Sequence, residues 1–180
     1  MEYSIIVACD NKGGIGKDNK IPWRISEDLK YFRIITSNAL PNMINAVIMG
    51  RKTWESIGSK PLKNRINIIV SNTLTHDTRI FDTPTFIVRS LSHAYIKLKE
   101  NHAVDKVFVI GGGQLYREAI YDYRYTKIYL TQILKHYECD VVFPIDILKY
   151  RYHTKYEGPI QETPDNIRYR YTILEQKYYE

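Results

Sequence analysis

Asp28 places a carboxylate on the apolar side of a predicted helix, an arrangement that suits ligand binding. Residues three and four apart share a helix face, so Asp28 aligns with Ile25 and Phe32. Its neighbour Glu27 aligns with Lys30, an ordinary surface pair that also complements the helix dipole. An uncompensated carboxylate against the core is costly unless something pairs with it. The spacing therefore favours a ligand-binding role for Asp28 over a purely structural one.

A glycine-rich turn follows a predicted buried strand in VFVIGGGQLY, residues 107–116. Glycines let a backbone approach a pyrophosphate closely, and the N-terminus of the next helix offers free N–H groups. The spacing is not G-x-G-x-x-G, so the usual dinucleotide-binding fingerprint is absent from the sequence. Because Gly-Gly is also common in ordinary turns, this segment indicates phosphate binding only in combination with others.

Two cations open a predicted helix in VIMGRKTWESIG, residues 47–58. The helix dipole prefers anions at its N-terminus, so Arg51 and Lys52 are unfavourable there unless a ligand supplies negative charge. This misfit is typical of a phosphate site. A solvated turn explains the same residues equally well.

The loop ACDNKGGIGKDNKIPW, residues 8–23, is rich in Gly, Lys and Asn. It joins the first predicted strand to the first long helix, at the carboxyl end of that strand. Ligands bind at this end of the strands in α/β sheets. We therefore expect the loop to act as a lid that closes over a bound ligand.

Strand-like and helix-like segments alternate through the first two-thirds of the chain. The β-branched runs YSIIVAC, NAVIMG, INIIVSN, TFIVR, DKVFVIGGG and TKIYLTQI indicate strands, and helical segments separate most of them. This order predicts an α/β fold with a mostly parallel sheet and helices on both faces. Ser26 is the expected N-cap of the first long helix.

The last third of the chain shows a different pattern. KYRYHTKY and IRYRYTILEQ alternate with period two around a connection that contains Pro and Gly. This predicts an antiparallel C-terminal hairpin at the edge of the sheet. Alternating basic and aromatic residues also occur on nucleic-acid surfaces, but the edge hairpin is the simpler explanation. With 180 residues, we expect residues 1–180 to form a single domain.

The net charge of +6 is spread among 20 acidic residues, without a long basic run. We therefore expect small anionic partners such as nucleotides or carboxylates, and not nucleic acid. The apolar runs are too short to span a membrane, and a secretory signal is not expected, so the expected location is cytoplasmic. Cys9 and Cys139 have no metal-ligand spacing and are expected to be reduced thiols. We expect no metal site and a monomer.

Seven segments, taken in order, resemble the dihydrofolate reductase family over nearly the whole chain: GIGKDNKIPW, EDLKYF, VIMGRKTWESI, PLKNRINIIVS, VIGGGQLY, TKIYLTQI and DVVFP. The ordered set is far more specific than any single piece. The resemblance implies a predominantly parallel eight-stranded sheet with flanking helices. It also implies NADPH-dependent reduction of 7,8-dihydrofolate to 5,6,7,8-tetrahydrofolate, in which hydride passes from nicotinamide C4 to pterin C6 and N5 gains a proton.

The resemblance further implies roles for individual residues. Asp28 matches the acid that accepts two hydrogen bonds from the pterin edge, and Thr131 matches the hydroxyl joined to it. Arg65 matches the arginine that pairs with the α-carboxylate of the substrate. The other implied substrate-binding residues are Ala8, Ile21, Leu29, Phe32, Ile57 and Ile110. The implied cofactor-binding residues are Ala8, Ile15, Gly16, Arg51, Lys52, Thr53, Ser71, Arg89, Ile110, Gly111, Gly112, Gly113, Gln114, Leu115 and Tyr116.

The departures from the family pattern include Asn72 and Lys20. Asn72 stands where many relatives have a basic residue near the 2′-phosphate, so NADPH preference would depend on Arg51 and Arg89. Lys20 replaces the Asp or Asn usual in the lid.

In the family, the bond that corresponds to Gly111–Gly112 is cis.

Three alternatives stay open at this point. The related reductase of riboflavin synthesis shares the fold, but it lacks the combination of Trp23 with Asp28. A non-catalytic dinucleotide or folate carrier would not need Asp28, Thr131 and Arg65 together. A basic RNA-binding module is supported only by the Arg/Tyr alternation near the C-terminus.

Overall fold

A computed structural model describes residues 1–75 and 81–177. Its strands are β1 (Glu2–Cys9), β2 (Gly14–Gly16), β3 (Ile44–Gly50), β4 (Arg65–Val70), β5 (Thr85–Val88), β6 (Val104–Val109), β7 (Tyr125–Ile133), β8 (Val141–Val142), β9 (Tyr152–Glu157), β10 (Gln161–Glu162) and β11 (Arg168–Gln176). Its α-helices are α1 (Ser26–Ser37), α2 (Arg51–Ser56), α3 (Leu91–Lys99), α4 (Gly113–Tyr121) and α5 (Leu148–Arg151), and a 3₁₀ turn spans Ile145–Ile147. The order of strands across the main sheet is β10-β11-β7-β1-β6-β3-β4-β5.

The middle of the main sheet is parallel, as the alternating pattern predicts. β1 pairs in parallel with β6 and β7, and β3 pairs in parallel with β4 and β6. Residues 46–49 of β3 are completely buried because both faces of the sheet are covered. The carboxyl ends of β1, β6 and β3 therefore lie side by side, at the end of a parallel sheet where ligands bind.

Helices cover both faces of the sheet, which confirms the predicted fold class. α3 and α4 pack against the apolar cluster that contains Ile48 and Leu115. α1 and α2 pack through Phe32 and Trp54 against the cluster that contains Met49. Ile48 and Met49 point to opposite faces because successive strand residues alternate. No helix in the two described ranges is long and apolar enough to cross a membrane.

The C-terminal strands form the predicted antiparallel edge. β11 pairs with β7 on one side and with both β9 and β10 on the other. β9 and β10 follow one another along the same edge. The N–H of Gly158 still donates to the carbonyl of Tyr171 across 2.8 Å, and the pairing breaks at Pro159, which has no N–H to donate. In the described part of the chain, the path through the sheet passes eight strands, and β9 is an additional strand beside β11.

Two local features differ from expectation. α1 begins at Ser26, with Ile25 at the N-cap position and no side-chain cap, so the predicted cap at Ser26 is wrong. Ile25 is buried and extended, and its carbonyl already accepts a hydrogen bond from the N–H of Leu29 across 3.2 Å. The sequence analysis also missed a small antiparallel sheet in which β2 pairs with β8. This pairing attaches the loop after β1 to the segment around residue 141.

Candidate active site

Asp28 lies half-buried in the first turn of α1, close to β7. The hydroxyl of Thr131 on β7 donates a hydrogen bond to Oδ1 of Asp28 across 2.7 Å, and Thr131 pairs in register with Ala8 of β1. Burial raises the pKa of Asp28, and the hydrogen bond from Thr131 offsets part of that rise. Within residues 1–75 and 81–177, no cation pairs with Asp28 and no hydrogen bond reaches its Oδ2. The carboxylate is therefore fixed at one oxygen and available at the other.

Two tyrosine rings stack beside this carboxylate. Tyr31 on α1 and Tyr171 on β11 have ring centroids 4.0 Å apart and planes 24° apart, and Tyr171 pairs in register with Thr131. Burial raises the pKa of Tyr31 to about 12, and Tyr129 and the charge of Asp28 add to the rise. Burial likewise raises the pKa of Tyr171, with the charge of Asp28 as the next cause. The two rings thus lie close enough to Asp28 to interact with its charge.

The predicted hydrophobic wall divides into a packed part and an exposed part. Phe32, Ile57 and Ile110 are half-buried against the cluster that contains Trp54. Ala8, predicted to contact both ligands, packs at the margin of another cluster, around Trp23. The two remaining wall residues are exposed, at 61% for Ile21 and 58% for Leu29. The structure therefore buries only part of the predicted wall.

Arg65 is a buried cation, 5% exposed, at the start of β4. Its Nη1 donates to Oγ1 of Thr36 across 2.8 Å, and its Nε donates to the carbonyl of Lys63 across 2.9 Å. Burial, followed by the charge of Arg33, lowers the pKa of Arg65. No Asp or Glu forms an ion pair with Arg65 in the part of the chain that the structure describes. A buried guanidinium held by neutral groups suits a carboxylate ligand.

A groove of about 490 Å³ opens where β3, β4, β5 and β6 end. Arg51, Lys52 and Arg89 give it positive charge. The groove brings together most of the residues predicted to bind the cofactor, which are Arg51, Lys52, Thr53, Ser71, Arg89, Gly112, Gly113, Gln114 and Leu115. Residues from four separate parts of the sequence thus share one surface that suits the phosphates of a dinucleotide.

The turn after β6 packs closely against the end of β3. The bond between Gly111 and Gly112 is cis, as expected from the family resemblance, and the N–H of Gly50 donates to the carbonyl of Gly111 across 2.8 Å. Gly111 has a φ of +123°, which favours glycine. A Cβ on Gly113 would lie 2.6 Å from Val141. The close fit of this turn therefore requires glycine at both positions.

The remaining residues predicted at the cofactor lie outside this groove. Ile15 and Gly16 belong to β2, while Ile110 and Gly111 immediately precede the groove. Tyr116 is buried, and its hydroxyl donates to the carbonyl of Ile6 across 2.8 Å. The Tyr116 hydroxyl is thus engaged with the core, so a contact with a ligand would use the ring.

Two arginines of the groove are held by protein groups. Nη1 of Arg51 forms an ion pair with Oε1 of Glu55 at 2.7 Å. Nη1 of Arg89 donates to the carbonyl of Ser71 across 3.2 Å, and Oγ of Ser71 accepts from the N–H of Leu74 across 3.0 Å. Both guanidinium groups are therefore oriented by the protein itself.

Comparison with known proteins connects this geometry to a family. Residues 2–176 match the family described as dihydrofolate reductase. The chain is 45% identical over 153 residues to a dihydrofolate reductase of Schistosoma mansoni, covering 80% of this chain and 78% of that protein. It is 36% identical over 182 residues to the dihydrofolate reductase of Mus musculus, covering 96% of each. A bifunctional dihydrofolate reductase-thymidylate synthase of Glycine max is 38% identical over 177 residues, covering 94% of this chain and 33% of that protein.

The chain belongs to the dihydrofolate reductase family. Membership confirms the resemblance seen in the sequence and makes the protein an NADPH-dependent oxidoreductase. The riboflavin-synthesis reductase and a non-catalytic carrier are not favoured by these matches. The roles of individual residues remain predictions.

The groove fits NADPH, the cofactor of the dihydrofolate reductase family. Its cations Arg51, Lys52 and Arg89 match a ligand with several phosphates. The turn at Gly112 and Gly113 carries no side chains and lines the same groove. Among the described residues, no cluster of His, Cys, Asp and Glu could hold a metal ion.

Sequence analysis missed Asp10, whose side chain is fully buried after β1. Oδ1 accepts from the N–H groups of Lys12 and Gly14 at 2.8 and 2.7 Å. Oδ2 accepts from the N–H of Tyr137 at 2.8 Å and lies 3.2 Å from Nδ1 of His136. Burial raises the pKa of Asp10, but these hydrogen bonds outweigh it, so the pKa lies below its ordinary value. Asp10 thus joins the predicted lid to the segment after β7.

Further bonds hold the predicted lid against residues 140–143. The N–H of Asp18 donates to Oδ2 of Asp140 across 2.9 Å, and the N–H of Asp140 donates to the carbonyl of Gly16 across 3.0 Å. The N–H of Phe143 donates to the carbonyl of Gly13 across 2.7 Å. The lid role remains a prediction, and these bonds define the contacts that opening would break.

Proposed function

We propose that this chain reduces 7,8-dihydrofolate to 5,6,7,8-tetrahydrofolate with NADPH, and that Asp28 orients the pterin. NADPH, when bound, supplies the hydride that passes from nicotinamide C4 to pterin C6. The proposal rests on the half-buried carboxylate of Asp28, which Thr131 holds by one oxygen and which pairs with no cation in the two described ranges. In a member of the dihydrofolate reductase family, the heterocycle of the substrate is the partner that such a carboxylate lacks.

Asp28 accepts hydrogen bonds from N3–H and the 2-amino group of the pterin. Two parallel hydrogen bonds fix the orientation of the ring as well as adding affinity. Thr131 restricts rotation of the carboxylate through its 2.7 Å hydrogen bond. Asp28 also polarises the ring, so that N5 takes its proton from water. Its raised pKa favours proton uptake near the ring at neutral pH more than an ordinary carboxyl group would.

The rest of the substrate contacts the hydrophobic wall and Arg65. Arg65 binds the α-carboxylate of the glutamate through its planar guanidinium, which Thr36 and Lys63 already orient. Ile21 and Leu29 lose their exposure to water when the substrate binds. The wall that contacts the pterin and benzoyl groups consists of Ala8, Ile21, Leu29, Phe32, Ile57 and Ile110.

The cofactor-binding residues divide between the groove and the ends of the central strands. Arg51 binds the 2′-phosphate, with support from Arg89 on the adenosine side. The glycine turn and the start of α4 bind the pyrophosphate. The residues beside the nicotinamide and its ribose are Ala8, Ile15, Gly16, Ile110 and Tyr116.

We further propose that residues 1–180 act as one monomeric domain in the cytoplasm. The interspersed charges support small anionic ligands as partners in preference to nucleic acid. Size-exclusion chromatography with light scattering tests the monomer. A filter-binding assay with RNA at several salt concentrations tests the exclusion of nucleic acid.

A spectrophotometric assay tests the proposed activity. Purified protein should lower the absorbance of NADPH when 7,8-dihydrofolate is added. Asp28→Asn should keep its affinity for NADPH while turnover collapses at neutral pH. Cofactor binding without turnover in the unmodified protein would favour a carrier, and a near-normal rate in Asp28→Asn would refute the role of Asp28.

A further inference from the structure

Arg117 lies over the first turn of α4, at the margin of the cofactor groove. Helical Cα–Cβ bonds tilt toward the N-terminus, so a residue covers the one four positions before it. Gly113 has no side chain, and Nη2 of Arg117 lies 3.7 Å from the place that a Cβ on Gly113 would occupy. Arg117 also lines the groove, together with Gln114 and Glu118. Arg117 is exposed, and its guanidinium lies beside the glycine turn at the margin of the groove.

The positively charged guanidinium of Arg117 has no negatively charged partner at the start of α4 in the described ranges. The N-terminus of a helix is the positive end of its dipole, and α4 has neither an acid in its first turn nor a side-chain cap. The nearby carboxylate of Glu118 accepts a hydrogen bond from Nε2 of Gln114 across 3.2 Å. Between Arg117 and the acids of the described ranges, the structure shows no ion pair. An anionic ligand in the groove would supply the missing charge.

We propose that Arg117 is a cofactor-binding residue that contacts the pyrophosphate of NADPH above Gly113. This assignment rests on the proposed function, because it requires the cofactor to lie along the groove. It is separate from the role of Arg51, which pairs with Glu55 on α2 and binds the 2′-phosphate. NADPH and NADH share the pyrophosphate, so Arg117 sets affinity for both cofactors and leaves the preference between them to Arg51.

Direct binding measurements test this assignment without any turnover. The affinities of NADPH, NADH and 2′-AMP are measured by quenching of tryptophan fluorescence in the purified full-length chain. 2′-AMP carries the 2′-phosphate and lacks the pyrophosphate. Arg117→Gln should weaken NADPH and NADH by the same factor, about tenfold for the loss of one hydrogen bond to a charged group, and should change 2′-AMP less than about twofold. Arg117→Lys should recover part of the loss.

Two further variants separate a local contact from a general charge effect. Arg51→Gln should weaken NADPH and 2′-AMP while sparing NADH, the opposite pattern. Lys155→Gln removes the same unit of charge from β9, at the other edge of the sheet, where Lys155 pairs with Glu175 at 3.3 Å. It should leave all three affinities unchanged.

Three results would overturn the role of Arg117. The first is that Arg117→Gln leaves all three affinities unchanged. The second is that Arg117→Gln weakens 2′-AMP as much as it weakens NADPH and NADH. The third is that Arg117→Gln changes the ratio of NADPH affinity to NADH affinity. Failure of the proposed function has a different signature, because NADPH would bind and respond to Arg117→Gln while dihydrofolate caused no oxidation. A chain that bound neither nicotinamide cofactor would refute both.

Discussion

Thr131 and Asp28 are joined by a 2.7 Å hydrogen bond across 103 positions of sequence, from the hydroxyl on β7 to Oδ1 of the carboxylate on α1. Both partners of this bond belong to the protein, so the fold itself orients the carboxylate. Less ordering is then needed on binding, which favours both affinity and a productive orientation of the ring. This relationship leads to the first prediction.

Thr131→Val should reduce kcat/KM for dihydrofolate by roughly tenfold. The substitution keeps the shape of the side chain and removes the donor, and a hydrogen bond to a charged group contributes about 1.5–3 kcal/mol. Steady-state kinetics with NADPH in excess measure the effect. Thr172→Val is the matched control, because the Thr172 hydroxyl on neighbouring β11 is buried with no hydrogen-bond partner in the described residues. Equal losses in the two variants would mean that the Thr131 hydroxyl has no special role.

Asp28→Asn should raise the melting temperature at pH 7 while abolishing turnover. Burial raises the pKa of Asp28 above the ordinary carboxyl value of about 4. At a pH between that value and the pKa in the folded protein, the native state therefore holds a proton that the unfolded state has released. The free energy of unfolding contributed by this group therefore falls as the pH rises through that window. Asn removes the cost of burying the charge and still offers an oxygen to Thr131.

Thermal denaturation between pH 3 and pH 7 measures this effect. The difference in melting temperature between Asp28→Asn and the unmodified protein should grow with pH. Glu27→Gln is the control, since Glu27 is exposed and pairs with Lys30 at 3.5 Å. A difference that stays constant with pH would contradict a raised pKa for Asp28.

Asp10→Asn should lower the free energy of unfolding at pH 7 by about 1–3 kcal/mol, because one acceptor oxygen becomes an NH₂ group that faces other donors. Asp10 has a pKa below its ordinary value, so its stabilising contribution is present above about pH 4 and is lost as the pH falls through the folded pKa. The difference in the free energy of unfolding between Asp10→Asn and the unmodified protein should therefore shrink at acidic pH. Urea denaturation at several pH values measures this difference.

Asp18→Asn is the matched control for Asp10→Asn. Asp18 is exposed in the same loop, and the bond to Asp140 uses the backbone N–H of Asp18. Asn also tolerates the positive φ of 49° at this position. A destabilisation of Asp18→Asn as large as that of Asp10→Asn would indicate that loop charge, and not the buried hydrogen bonds, stabilises the protein.

Arg65→Lys should raise the KM for dihydrofolate about tenfold or more. Lysine keeps the positive charge but loses the planar fork that binds a carboxylate by two hydrogen bonds. A truncated substrate, 6-methyl-7,8-dihydropterin, has no glutamate and should react with variant and unmodified protein at similar kcat/KM. Should the variant lose activity equally toward both substrates, Arg65 would act through the fold and not through the carboxylate.

Local patterns predicted the elements of the site better than the contacts between them. The helical spacing around Asp28 is borne out by the buried Ile25 and the half-buried Phe32 on the same face. No spacing rule links Asp28 to Thr131, and only the family resemblance suggested their association. The glycine turn and the two cations of α2 each indicated phosphate binding only ambiguously. They line one groove because of the order of strands in the sheet, which the local sequence does not reveal.

Features that depend on tertiary contacts of the backbone were not predictable. Asp10 is held by the N–H of Tyr137, and a backbone donor 127 positions away has no signature in residue type. β8 contains two residues, too few for a period-two pattern. The position of Arg117 beside Gly113 and the groove likewise depends on the packing around α4. Ser26 was assigned as a cap from its residue type, whereas the burial of Ile25 determines where α1 begins.

The break at Pro159 also affects how copies of this chain meet one another. A long straight strand at the border of a sheet is a template for intermolecular pairing and fibril growth. Here the border beside β11 is split into β9 and β10, and β9 carries the charged residues Lys155 and Glu157. A neighbouring molecule that paired with this border would find only the short strands β9 and β10. It would also have to bury the charges of Lys155 and Glu157. The split and the charges therefore disfavour strand pairing between copies of this chain at this border.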